Sequence, residues 1–106
     1  MFVDSNILID LLRGKAATLN FLENYIGSIK ISLIVKLELI DGLSSKIDID
    51  KFNKLVIKQL QIEVVQINEE ISKMTEELFI KFRHSHGISI NDAIIAGTCL
   101  VYGEPL

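Results

Sequence analysis

Three acidic residues, Asp4, Glu38 and Asp92, stand where acids are costly. Asp92 is the one charged residue in positions 88–103, within a stretch apolar nearly all round: Ala93, Ile94, Ile95, Ala96, Leu100 and Val101. A helix of that composition is expected to be buried. A buried carboxylate must find a cation or take up a proton. The competing role is structural, because Ser89 three residues ahead of Asp92 makes a capping box. Glu38 sits one turn from Ile34 and from Gly42, among Leu37, Leu39 and Ile40. It either reaches out to solvent or enters a polar pocket. Asp4-Ser5-Asn6, at the passage from an apolar pair into a helix, can cap that helix instead of doing chemistry. Each acid alone has a structural alternative.

The elements that must position them alternate in type. Short β-type runs are predicted at Phe2-Val3, at residues 29–33 and at residues 62–67, where length and β-branched enrichment favour strands. Helical periodicity is predicted over residues 6–12, 16–26, 34–43, 49–60, 69–86 and 90–101. The longest of these buries Ile71, Met74, Leu78 and Phe82 and stops at Gly87. Strands alternating with helices predict a parallel sheet with right-handed crossovers, and Phe2-Val3 lying next to residues 29–33. Ligands in such folds sit beyond the carboxyl ends of the strands. Asp4 follows the first strand, and Glu38 falls in the first turns after the second. Two acids therefore fall where the fold puts chemistry.

Composition bounds the rest. The chain has 106 residues, enough for one domain spanning 1–106, and 49% of them are apolar. That content excludes disorder. It also exceeds what a small monomer hides, which predicts an apolar patch covered by a partner or a second copy. The net charge of −3 argues against a general basic coat for nucleic acid. It does not exclude nucleic acid at an acidic site whose field a bound cation reverses. One cysteine, Cys99, cannot form an internal disulfide, and no Cys/His cluster offers zinc ligands. The first twelve residues carry Asp4 and Asp10 without a basic lead, and no run is long enough to span a bilayer. A cytoplasmic protein with no membrane partner is expected.

Three spaced motifs carry a family resemblance. Asp4-Ser5-Asn6-Ile7-Leu8-Ile9-Asp10 resembles the opening of PIN domains, particularly the VapC-type toxin ribonucleases. Residues 32–42, with Glu38-Leu39 ahead of Gly42, resemble their second motif, although Val35 stands where the family usually has threonine. Ile90-Asn91-Asp92-Ala93-Ile94-Ile95-Ala96 resembles their third. The resemblance implies a three-layer α/β/α fold with a short, mainly parallel sheet flanked by helices. It implies that Asp4, Glu38 and Asp92 are catalytic, metal-binding acids, with Ser5 and Asn6 as polar support. It further implies a Mg²⁺- or Mn²⁺-dependent endoribonuclease held inactive by an antitoxin. Oxygen-only donors agree with that choice of metal. Family members continue past the equivalent of residues 103–106 into a further strand, so the sequence is expected to lack that strand and any acid on it. The alternative is a catalytically inactive PIN-like module that binds an antitoxin-like partner or dimerises. A DNA-directed or structure-specific nuclease is disfavoured by size.

The remaining charged residues have plainer readings. His84 and His86 suit a helix C-terminus, where cations are favourable. Arg13, Lys15 and Lys36 are candidate phosphate contacts on RNA, or ordinary surface charge. Lys73, Glu76, Glu77 and Lys81 have the spacing of a solvated helix face. A homodimer, or an antitoxin helix or strand in a groove between helices, is the expected assembly.

Overall fold

The first residues of the chain run alongside a strand formed much later. In this computed structural model, which describes residues 1–104, Phe2 makes a parallel bridge to Lys30. Val3 N donates to Lys30 O at 3.0 Å, and Lys30 N donates to Met1 O at 2.8 Å. Lys30 opens β1 (Lys30–Ser32), which pairs in parallel with β2 (Glu63–Val65) in the register Lys30–Glu63, Ile31–Val64 and Ser32–Val65. The spatial order is therefore Phe2, β1, β2, all parallel. The expected pairing holds, but the strands are shorter than their apolar runs, and among the described residues the sheet proper has two strands.

The shortening has a local cause. Ser32 Oγ accepts from Ile34 N at 3.2 Å and so caps α3 (Leu33–Asp41), which takes over a residue that reads as strand. Asn68 Oδ1 accepts from Ile71 N at 2.8 Å in the same way, starting α5 (Glu69–His86) soon after β2. The earlier helices are α1 (Ser5–Leu12) and α2 (Ala16–Asn24), and the last is α6 (Ile90–Tyr102). α2 ends two residues earlier than its apolar spacing predicts, because Tyr25 is already extended. The expected helix over residues 49–60 is displaced. Ser45 Oγ accepts from Asp48 N at 3.2 Å and starts α4 (Lys46–Phe52) earlier, and the chain then widens into a π-type turn over Asn53–Gln59. α5 ends as predicted, at Gly87, whose φ of 60° places it in the left-handed region that glycine enters without cost.

Two apolar clusters hold these pieces. The larger joins Leu8 and Leu11 of α1, Ile31 of β1, Val35 of α3, Phe52 of α4 and Val56. The smaller, Phe2, Val65, Ile71 and Cys99, lies where α5 and α6 meet the strands. The surface keeps much apolar area: Ile26, Ile47, Ile80 and Ile90 are all exposed. Among the described residues no helix is long and apolar enough to cross a membrane.

α5 and α6 pack closely over Gly97. A Cβ placed there would lie 2.8 Å from Thr75 Oγ1 and 3.2 Å from Thr75 N. Thr75 Oγ1 is itself held by donation to Ile71 O at 2.7 Å, so it cannot swing aside without losing a bond. Alanine gains about 1 kcal/mol over glycine in a helix interior, but overpacking against backbone costs roughly 1–3 kcal/mol. Gly97→Ala is therefore expected to give no gain and to lower stability by up to about 2 kcal/mol net in urea denaturation. A raised midpoint, the outcome for an unobstructed helix glycine, contradicts the close packing of the two helices.

Candidate functional site

Asp4 follows the Phe2 bridge directly and caps α1, its Oδ1 accepting from Ile7 N at 3.2 Å. Ser5 is the first residue of α1, half-buried, and Asn6 beside it is exposed. Glu38 lies on α3, exposed, and α3 packs against both α1 and α6. Asp92 is in the first turn of α6, where its backbone N donates to Ser89 Oγ at 3.0 Å. The structure corrects one premise about this residue. Asp92 is exposed, because α6 buries only the face bearing Ala93, Gly97, Thr98 and Cys99 and leaves Ile90 63% and Leu100 55% exposed. Burial therefore does not force a counter-charge on Asp92, and the capping bond is made.

The structure brings Ser5 and Glu38 into one cleft of about 420 Å³ between α1, α3 and α4. Arg13 also lines it, together with two residues that the sequence pattern did not single out, Asp48 and Lys51. Asp4 lines a neighbouring hollow of about 300 Å³ with Ile7 and Phe21. Among the described residues no three His, Cys, Asp or Glu side chains stand close enough to hold a metal ion between them. Of the other candidate phosphate contacts, Lys15 is exposed and lies 3.7 Å from Asp10, and Lys36 is half-buried on α3. Lys51 Nζ donates to Leu12 O at 3.2 Å, bridging α4 to the end of α1. Asp48 and Lys51 were legible only through the cap at Ser45, which sets the phase of α4 and puts both on one face. Burial pushes the Cys99 thiol above its ordinary pKa, with the Glu104 charge adding to the shift, so Cys99 is no ready nucleophile.

With this geometry in view, the family is settled. The PIN domain model matches residues 1–106, and the chain belongs to the PIN domain family, whose members are generally nucleases that use divalent metals. A toxin–antitoxin complex from Klebsiella pneumoniae contains a chain of similar structure, with a TM-score of 0.73 and 25% identity over 99% of this chain and 82% of that one. FitAcB from Neisseria gonorrhoeae shares the fold, with a TM-score of 0.70 and 16% identity over 97% of this chain and 82% of its own. A search among curated proteins finds no match.

A fourth acid has a role the sequence concealed. Glu104 Oε1 lies 2.7 Å from the Met1 ammonium and Oε2 lies 2.7 Å from Lys30 Nζ, which ties the segment after α6 to both pairing segments at its side of the sheet. Hydrogen bonds from Lys30, then from the ammonium, hold the Glu104 carboxyl below its ordinary pKa. A depressed carboxyl pKa contributes stability that is present above the unfolded value and lost as pH falls through the folded one. Glu104→Gln should therefore melt below the wild type at neutral pH, with the two curves converging only as pH falls through the lowered folded-state pKa of Glu104. Equal melting temperatures at pH 7 would contradict this role.

Proposed function

We propose that this chain is the endoribonuclease toxin of a toxin–antitoxin pair, a single cytoplasmic domain that hydrolyses RNA with Mg²⁺ or Mn²⁺. The observation that carries the proposal is the meeting of Ser5 and Glu38, from two separate motifs, in one cleft of a PIN fold. The toxin–antitoxin neighbour at 25% identity supports the biological setting. The donor chemistry fits a hard cation: carboxylates on Asp4, Glu38 and Asp92, with the Ser5 hydroxyl and Asn6 amide nearby and no sulfur or imidazole among them. A fully formed cage is not required, since Mg²⁺ typically keeps several waters and uses one or two carboxylates.

Asp4 and Asp92 hold the ion in this reading, and Glu38 completes the acidic set. The bound cation would supply an activated water and charge stabilisation on the phosphoryl oxygens. Asp4 can serve as both cap and ligand, because the cap uses Oδ1 alone. Asp92 can do likewise, because its capping bond runs through the backbone N–H. Ser5 and Asn6 orient the acids from the first turn of α1. Arg13, Lys15 and Lys36 would hold backbone phosphates in this reading, contacts that position a nucleic acid without reading its sequence. The exposed isoleucines support a covering partner, either an antitoxin segment or a second copy in a homodimer. The second reading is an inactive PIN-like module that keeps only that binding role; the lack of three clustered acids among the described residues favours it.

Asp92→Asn separates the readings. The substitution leaves the cap intact and removes a carboxylate. For the ribonuclease, Mn²⁺ raises the wild-type melting temperature and the variant loses most of that rise. RNA cleavage falls by about 100-fold or more, as loss of several kcal/mol of metal-derived stabilisation requires. A wild type that neither cleaves RNA nor responds to Mn²⁺ leaves the inactive module.

A further inference from the structure

The cleft shared by Ser5 and Glu38 is larger than a few acids and a cation need. Its apolar lining comes from Ile9, Leu12, Leu39 and Leu43, while Arg13, Asp48 and Lys51 supply charge. Asp48 and Lys51 are three residues apart on α4, so they project from one face. The bond from Lys51 Nζ to Leu12 O fixes that ammonium beside the end of α1, where Arg13 follows. An apolar lining with a charged donor and a charged acceptor on one side is the complement of an unstacked nucleobase, whose faces stack and whose edge carries donors and acceptors. A base inside a duplex cannot enter such a cleft, whereas one in a single strand can.

We infer that this cleft is a nucleotide subsite taking one unstacked base of single-stranded RNA beside the acids. Asp48 accepts from N–H groups on the base edge, Lys51 donates to the edge carbonyl, and Arg13 holds an adjoining phosphate. Guanine answers this pattern best, because its N1–H and N2–H donors lie next to its O6 acceptor. Lys51 Nζ keeps two N–H groups beyond its bond to Leu12 O, and Asp48 keeps Oδ1 beyond the bond Oδ2 accepts from Ser44 Oγ at 3.5 Å; an aliphatic side chain from a protein partner would use neither of these, nor Arg13. The inference rests on the ribonuclease reading and deepens it by naming the form of the substrate and the residues that select within it.

The test uses the full chain without metal, so that binding is read apart from cleavage. Methyl-labelled protein is titrated with each of the four nucleoside 5′-monophosphates while the Ile9, Leu12, Leu39 and Leu43 methyl resonances are followed. Those signals shift, and guanosine monophosphate binds about tenfold more tightly than the others, the scale of one bidentate contact to a base edge. Asp48→Asn removes that preference, and it keeps the fold because the Ser45 cap uses the Asp48 backbone N–H. Leu43→Trp fills the cleft and abolishes the shifts. No shift at these methyls with any nucleotide overturns the inference and leaves the cleft to a protein side chain. An undiminished guanine preference in Asp48→Asn overturns it as well. Nucleotide binding as described in a chain that cleaves no RNA would sink the ribonuclease reading and spare the subsite; cleavage without such binding would do the reverse.

Discussion

The placement of the acids depends on β1 being paired along both of its edges, with Lys30 making the bonds on one of them. Its N–H and C=O bond to Met1 and Val3 on one side, and its strand pairs with β2 on the other. Its ammonium meets Glu104 at 2.7 Å. Because all three segments run parallel, their carboxyl ends share one edge, where such folds collect ligands. Asp4 leaves that edge directly after the Phe2 bridge. Ser32, the last residue of β1, both ends the strand and caps α3, so α1 and α3 start side by side. The meeting of Ser5 and Glu38 follows from that shared origin.

The sequence and the structure agree most where local signals and tertiary packing point the same way. α5 begins at its Asn68 cap and ends at Gly87 as predicted, because both stop signals are local chemistry that burial does not override. The alternation of strand and helix, the parallel pairing and the motif order were also legible. α4 was not, because the apolar positions from Ile49 to Leu60 outweighed the cap at Ser45, and a π-type turn leaves no periodic signature. Glu104 was opaque for a different reason. Its partners, Met1 and Lys30, are distant in sequence, and nothing local marks a carboxylate as the closing contact of a sheet.

The acids show where an argument from composition fails. An apolar helix implied a buried Asp92, yet α6 presents one narrow face to its neighbours and leaves the turn bearing Asp92 in solvent. The capping role and the ligand role were posed as alternatives, and the hydrogen bonds make them compatible. A cap made by a backbone N–H at Asp92, and by one oxygen at Asp4, fixes each backbone while leaving carboxylate oxygen for a cation. Among the described residues the acids form no three-membered cluster, and Mg²⁺ typically keeps several waters and uses one or two carboxylates.

The proposed metal site requires one cation to draw on Asp4, Glu38 and Asp92 together. Anomalous diffraction from crystals soaked in Mn²⁺ tests it most directly. The account predicts a single strong peak between the three helices, with Asp4 and Asp92 oxygens as ligands and Glu38 bound directly or through water. Saturating Mn²⁺ that leaves this position without a peak, while the protein lattice stays intact, would contradict it.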